Sequence, residues 1–147
     1  MTLPSLIAFT SLRARRRWTR QVYSEPAFRH FLALERRRTV HSTRWFLLAL
    51  VRLQNSPGET GTYMSPALAD AVFSSLAGCT RGVDFIGWYR QGRIAGAVLA
   101  QAATPPAHVA DRLAVRITQT LCGALPGDVS SRLRVRIVHA GRITIRS

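Results

Sequence analysis

The sequence predicts an α+β fold built on a β-α-β-β-α-β core. Residues 44–53, RWFLLALVRL, are apolar at both parities, which is typical of a strand buried on both faces. Residues 81–99 form two apolar runs joined by a polar turn, which indicates a β-hairpin. One segment before this hairpin and one after it carry apolar residues at every fourth position, which indicates two amphipathic helices. The 147 residues, 47% of them apolar, are enough for one domain with its own core.

Capping and turn residues mark where the helices begin and end. Ser24 is the predicted N-cap of an N-terminal helix, whose first turn contains Glu25 and a proline. The helix before the hairpin begins after Ser65 and ends at a glycine, Gly78 or Gly82. The helix after the hairpin follows a Thr-Pro-Pro sequence and ends before a Leu-Pro-Gly sequence.

In the C-terminal segments 132–137 and 142–146, polar and apolar residues alternate strictly. This pattern predicts two strands, each with one exposed face. The complete order is the split β-α-β arrangement of ferredoxin-like folds, with an N-terminal helix and an extra C-terminal strand. Because the central strands are apolar on both sides, the sheet face away from the core helices must be covered by the N-terminal helix or by a second subunit. We predict residues 1–23 as a basic N-terminal arm and residues 24–147 as a single domain.

Arginine dominates the charge of the chain. All 21 basic residues are arginine, against 7 acidic residues, for a formal net charge of +14. Such a balance favours an anionic partner, whether nucleic acid, nucleotide or anionic lipid. The alternation of the C-terminal strands predicts one basic face, which deters strand-to-strand aggregation or attracts anions and is formed by Arg132, Arg134, Arg136, Arg142 and Arg146.

Several features predict a cytoplasmic protein without a metal site. The longest apolar run, 45–51, is far shorter than the ~20 residues of a membrane span, and the N-terminal apolar segment precedes its arginines, the reverse of a secretory signal. An amphipathic membrane anchor at residues 3–20 is the alternative for that arm. Cys79 and Cys122 are expected as buried free thiols, with a single bridge as the alternative, and the four histidines are isolated.

Two segments carry a resemblance to a known family. They are FRHFLALERRR at 28–38, which leads into the buried strand, and DFIGWY at 84–89, which leads into the hairpin turn. From about residue 28 to 138 the chain resembles the GGDEF domain of diguanylate cyclases, which has this element order within the nucleotidyl-cyclase fold. In that family two helices lie between the first two core strands, and here a loop at 55–64 stands in place of the first.

The catalytic positions of the family are occupied by other residue types. The signature turn is replaced by Arg90, Gln91, Gly92, Arg93 and Ile94. The family's metal-binding Asp at the end of the first core strand falls in the sequence VRLQ at 51–54, which contains no acid. Joining two nucleoside triphosphates needs metal ions held by oxygen ligands, usually carboxylates. We therefore predict no cyclase activity, no catalytic residues and no cofactor.

A second family motif is present. Many GGDEF domains bind cyclic di-GMP as a feedback inhibitor through Arg-x-x-Asp five residues before the signature, and Arg81 and Asp84 stand in that register. The alternative is structural, with Asp84 fixing the start of the strand. The resemblance implies a non-catalytic regulatory or scaffolding module, a cyclic di-GMP receptor or an accessory factor in bacterial exopolysaccharide production. Its partner would be another protein or a second copy, held through the sheet face or the N-terminal helix.

Two other function classes are alternatives. The first is an arginine-rich RNA-binding module with an RRM-like fold, because RGVDFIGW at 81–88 is similar to the aromatic RRM signature. That signature belongs on the third strand of an RRM, whereas here it falls on the second, and Phe85 and Trp88 should lie on opposite faces. The second is another kind of enzyme, for which the sequence offers no paired carboxylates and no Gly-x-Ser-x-Gly or P-loop pattern.

Overall fold

The computed structural model describes residues 21–41, 45–54, 62–101 and 107–140. Within these ranges the chain forms a five-stranded sheet and four helices. In chain order they are β1 (Val22–Tyr23), α1 (Glu25–Val40), β2 (Trp45–Leu53), α2 (Pro66–Gly78), β3 (Phe85–Arg90), β4 (Ile94–Gln101), α3 (Ala107–Ala124), α4 (Gly127–Ser130) and β5 (Leu133–Ala140).

The strands lie in the order β1-β3-β4-β2-β5. β2 is antiparallel to both β4 and β5, β3 is antiparallel to β4, and β1 is parallel to β3. α2 therefore connects β2 to β3 with β4 between them, and α3 connects β4 to β5 with β2 between them. These are the two interlocked split β-α-β units of a ferredoxin-like core, so the predicted α+β fold class is confirmed.

Side chains of each strand alternate between two apolar layers. The larger layer, the helical-layer core, lies between the sheet and the helices α2 and α3, and Leu47, Val51 and Ile86 on the strands are fully buried in it. The smaller layer, the α1 core, lies between the opposite sheet face and α1, and it includes Phe46 and Leu48. β2 contributes to both layers because its residues are apolar at both parities, as the sequence predicted.

α1 covers the second sheet face through Phe28, which is fully buried. Its ring lies over Gly87 and Gly96, which face each other across β3 and β4. A Cβ atom at Gly96 would lie 2.8 Å from the Phe28 ring, and one at Gly87 would lie 2.6 Å from the Tyr23 carbonyl oxygen. Two glycines in register therefore form the depression that lets α1 approach the sheet closely.

The helix starts agree with the sequence in part. Ser65 is the N-cap of α2, and its hydroxyl accepts a hydrogen bond from the Leu68 amide at 3.2 Å. Ser24 occupies the N-cap position of α1 but makes no side-chain capping bond. The Glu25 amide instead donates to the Gln91 side-chain oxygen at 2.9 Å. None of the described helices combines the length and apolar character needed to cross a membrane.

Two short elements were not predicted. β1 pairs with β3 within the segment that was predicted as the N-terminal arm, and α4 is a single turn before β5. Both are too short to show a periodic pattern. The predicted Thr-Pro-Pro start of α3 and the predicted last strand at 142–146 lie outside the described residues.

The two cysteines are free thiols, so the alternative of a single bridge is wrong. Cys79 is buried at the end of α2, as expected. Cys122 is exposed, contrary to the prediction, because it follows Leu121 on α3 and therefore points away from the stripe that faces the sheet.

We expect Gly87→Ala to lower the free energy of unfolding by about 1–3 kcal/mol, because the added Cβ overlaps the Tyr23 carbonyl oxygen, a backbone atom that cannot rotate away, and the buried Phe28 ring. The matched control is Gly123→Ala on α3, where a Cβ meets nothing within 4 Å and raises helix propensity by up to about 1 kcal/mol. Denaturant unfolding of the three proteins checks this. Equal stability of Gly87→Ala and wild type would contradict the close approach of Tyr23 and Phe28 to β3.

Candidate functional site

The residues predicted to replace the cyclase signature, Arg90 to Ile94, lie at the turn between β3 and β4. The Arg93 amide donates to the Arg90 carbonyl at 2.9 Å and closes the turn. Gly92 has φ of +77°, a left-handed conformation that favours glycine, and its carbonyl accepts from the Met64 amide at 2.8 Å. Both arginines are exposed, and Ile94 begins β4 half-buried. The turn is therefore held by the segment before α2 and presents two positive charges.

Gln91, at the tip of this turn, is clamped to the start of α1. Its amide donates to the Glu25 carboxylate at 2.7 Å, while its side-chain oxygen accepts from the Glu25 amide. Arg29 forms an ion pair with the same carboxylate at 3.2 Å and donates to the Tyr89 carbonyl at 3.1 Å, next to a register shift between Trp88 and Arg90. The Gln91 hydrogen bond and the charges of Arg29 and Arg90 hold the pKa of Glu25 below its usual value.

Arg52 lies near the end of β2, where the sequence resemblance predicts the position of a metal-binding carboxylate of the cyclases. This residue stands opposite Ile94 on one side and opposite Arg134 on the other. Its Nε atom is buried and has no hydrogen-bond partner in the described part of the chain. Residues 21–41, 45–54, 62–101 and 107–140 contain no group of three or more His, Cys, Asp or Glu side chains that could hold a metal ion. Arg52 and Arg134 place positive charge at this end of the sheet.

Arg81 and Asp84 lie at the opposite end of the sheet, before β3. The Asp84 side chain is fully buried, and its oxygens accept from the Arg81 amide at 2.8 Å and from the Ala100 amide at 3.1 Å. The Arg81 guanidinium pairs with both carboxylate oxygens, at 3.2 and 3.1 Å, and donates to the Ala100 carbonyl. Asp84 thus joins the start of β3 to the end of β4 and orients Arg81, whose side chain remains 59% exposed.

Arg81 borders a cavity of about 300 Å³ between the end of α2 and the start of α3. Its walls combine apolar residues of β2, β4 and α3 with polar and charged residues at the rim. Arg112 and Arg116, one turn apart on α3, complete the rim with Arg81. Neither forms a salt bridge with a described residue. Like charges at this helical spacing repel each other, so an anion held between them would be stabilising.

The predicted basic face on the C-terminal strands is described in part. Arg134 and Arg136 are exposed on β5 and share the sheet face that α1 occupies farther along. Arg132 precedes β5 and donates to the Asp128 carbonyl at 3.3 Å, so it serves the turn that enters the strand. Arg142 and Arg146 lie outside the described residues.

The aromatic residues of the RRM-like signature are on opposite sheet faces, as predicted. Phe85 belongs to the α1 core and makes an edge contact with Phe28 at 5.5 Å. Trp88 packs against the helical-layer core, with its ring 4.9 Å from Phe73. The signature therefore contributes to packing on both faces and does not form a pair of exposed stacking residues.

Two parts of these sites were missed from the sequence. Arg112 and Arg116 appear there only as arginines beside the apolar stripe of α3, and nothing local indicates that they meet Arg81. Glu25 and Gln91 are 66 residues apart, and no pattern connects them. The sequence does contain one indication for Arg112 and Arg116. Two arginines four residues apart repel each other in an isolated helix when no acidic residue pairs with them, so this spacing is unfavourable there.

Comparison with known proteins finds a likeness in structure alone. No protein-family model matches the sequence, and no curated protein matches it. The fold matches the crystal structure of a DGC (diguanylate cyclase) protein from Thermotoga maritima with a TM-score of 0.59 at 15% sequence identity, over 81% of this chain and 80% of that chain. The chain therefore has a GGDEF-like fold, in agreement with the resemblance drawn from its sequence.

We expect the hydrogen bond and the ion pair that the Glu25 carboxylate makes with Gln91 and Arg29 to stabilise the fold at neutral pH and to be lost in acid. Because the folded-state pKa of Glu25 lies below its unfolded value of about 4.3, its contribution is complete above that pH and is lost as the pH falls through the folded pKa. The melting temperatures of wild type and Glu25→Gln, measured from pH 3 to 8, should differ most at neutral pH and converge in acid. A gap that widens on acidification would contradict this origin.

Proposed function

We propose that the chain is a non-catalytic regulatory module of GGDEF-like fold that binds cyclic di-GMP. The observation that carries this proposal is the cavity between α2 and α3, with an apolar floor and three arginines at its rim. Convergent charged groups around an apolar pocket are the usual arrangement of a small-molecule site. The arginines supply planar donors for phosphate oxygens or for the N7 and O6 atoms of guanine.

Arg81 would recognise the ligand, and Asp84 would act by positioning it. Both Asp84 oxygens already accept hydrogen bonds within the protein, and the pairing fixes the plane of the Arg81 guanidinium. A pre-oriented side chain loses little entropy on binding. Arg112 and Arg116 would then hold the phosphates, while Leu99 and Leu113 form an apolar surface for a base.

The non-catalytic part of the proposal is supported by charge. The sequence resemblance assigns the metal-binding carboxylates of a cyclase to positions at or beside Arg52 and Arg93. A fixed positive charge raises the electrostatic energy of a divalent cation at the same place. A regulatory role in bacterial exopolysaccharide production, through another protein or a second copy, is part of the proposal and is supported by the sequence resemblance alone.

Cyclic di-GMP should release heat on titration into the wild-type protein. We expect Arg81→Ala and Arg112→Gln each to weaken binding by about 10- to 100-fold, which corresponds to one charge-assisted hydrogen bond of about 1.5–3 kcal/mol. Arg37→Gln, which removes an equal charge from an exposed position at the far end of α1, is the matched control. A titration with cyclic di-AMP tests whether binding requires the guanine edge. No heat with wild type, or one affinity in all variants, would refute the proposed receptor.

Purified protein incubated with GTP or ATP and Mg²⁺ or Mn²⁺ should form no cyclic dinucleotide, because carboxylates are missing from both metal-binding positions. Chromatography of the nucleotides, with a heat-denatured sample as the blank, checks this. Product that depends on the folded protein would refute the non-catalytic assignment without affecting the proposal that the chain binds cyclic di-GMP.

A further inference from the structure

Tyr63 is a large aromatic side chain that is 69% exposed and yet held in place. The Arg93 guanidinium lies 5.0 Å from the centre of its ring. The ring also approaches Gly92 so closely that a Cβ there would lie 3.0 Å from the Tyr63 Cδ1 atom. The hydrogen bond from the Met64 amide to the Gly92 carbonyl fixes the backbone beside it. Tyr63 is therefore an ordered ring whose larger part faces solvent.

A row of arginines begins beside this ring. Arg52 and Arg134 are directly opposite each other on neighbouring strands, and Arg136 follows on the same sheet face. Like charges in this relation destabilise a sheet, and the buried Nε of Arg52 has no described partner. Ile94, the neighbour of Arg93 in the chain, is separated from Arg134 by two strand spacings, a distance of about 10 Å. The ring and the arginines therefore lie at the same end of the sheet, and we call this set of side chains the hairpin-end surface: Tyr63, Arg90, Arg93, Arg52, Arg134 and Arg136.

Acidic groups in the described part of the chain do not neutralise this surface. Glu25 is nearest the turn, but its carboxylate is engaged by Arg29 and the Gln91 amide. Asp128 is exposed before β5 and forms no salt bridge with a described residue. The excess positive charge therefore remains available to an anion from outside.

We propose that the hairpin-end surface binds single-stranded nucleic acid, with one base stacked on Tyr63 and the phosphates on the arginines. An exposed ring beside a basic track is the arrangement that single-strand binding proteins use. A duplex would leave Tyr63 without a base face to contact, and an acidic peptide would engage the arginines without requiring the ring. Few groups here could read base edges, so binding should depend little on sequence.

Fluorescence anisotropy with labelled 16-nucleotide RNA and DNA strands of mixed sequence tests the proposal on the full chain. Wild type should bind with a dissociation constant of about 1–100 µM at physiological salt. Tyr63→Ala should weaken binding about 5- to 100-fold, the effect of removing the platform for one stacked base, whereas Tyr63→Phe should retain it. The RNA and DNA arms show which sugar the surface prefers.

Charge variants separate this surface from the net charge of the protein. Arg134→Gln with Arg136→Gln should reduce the slope of log affinity against log salt by about 0.7 for each phosphate that these arginines neutralise in the wild type. The matched control is Arg36→Gln with Arg37→Gln, which removes the same charge at the far end of α1. Thermal unfolding confirms that each variant is folded.

Three outcomes would overturn the proposal. They are no binding by wild type at low salt, equal weakening of binding in the two double variants, and an affinity unchanged by Tyr63→Ala. Equal binding of poly-glutamate, insensitive to Tyr63, would assign the surface to acidic proteins. None of these outcomes bears on cyclic di-GMP, because that cavity lies at the other end of the sheet.

Discussion

The architecture depends on how closely α1 can lie against the sheet. β2 and β4 are apolar on both faces, so a single layer of helices would leave one face exposed to water. Phe28 closes that face only because β3 and β4 both have glycine beneath its ring. The contact then brings the start of α1 to the β3–β4 turn, where Glu25 and Gln91 exchange hydrogen bonds. Apolar packing thus determines where a polar clamp can form.

This clamp gives the turn a structural role. Gln91 holds α1, Gly92 holds the segment before α2, and Arg93 supports Tyr63. The side chains of this turn are thus either engaged by neighbouring elements or positively charged.

The two ends of the sheet differ in the way they present arginine. At the β3–β4 turn, the arginines lie on an open surface beside an exposed ring, which suits a long flexible polyanion. At the other end, Arg81, Arg112 and Arg116 surround a cavity, and Asp84 fixes the direction of the first. A concave pocket and a fixed donor direction favour a small ligand with defined edges. Arginine suits both kinds of site because its planar group can pair with phosphate and with guanine.

The order of the core elements and the burial of β2 followed from the sequence, because hydrophobic period and capping residues are local properties. The positions of Phe85 and Trp88 on opposite sheet faces also followed from the sequence, since the alternation of side chains along a strand is fixed by its geometry. The role of α1 as the second cover was one of two alternatives, and only the tertiary structure decided it. The tertiary structure alone also brought Arg112 and Arg116 to Arg81, Gln91 to Glu25, and Tyr63 to Arg93. Those contacts join residues far apart in the chain, and a pattern of neighbouring residues carries no information about which distant side chains share a surface.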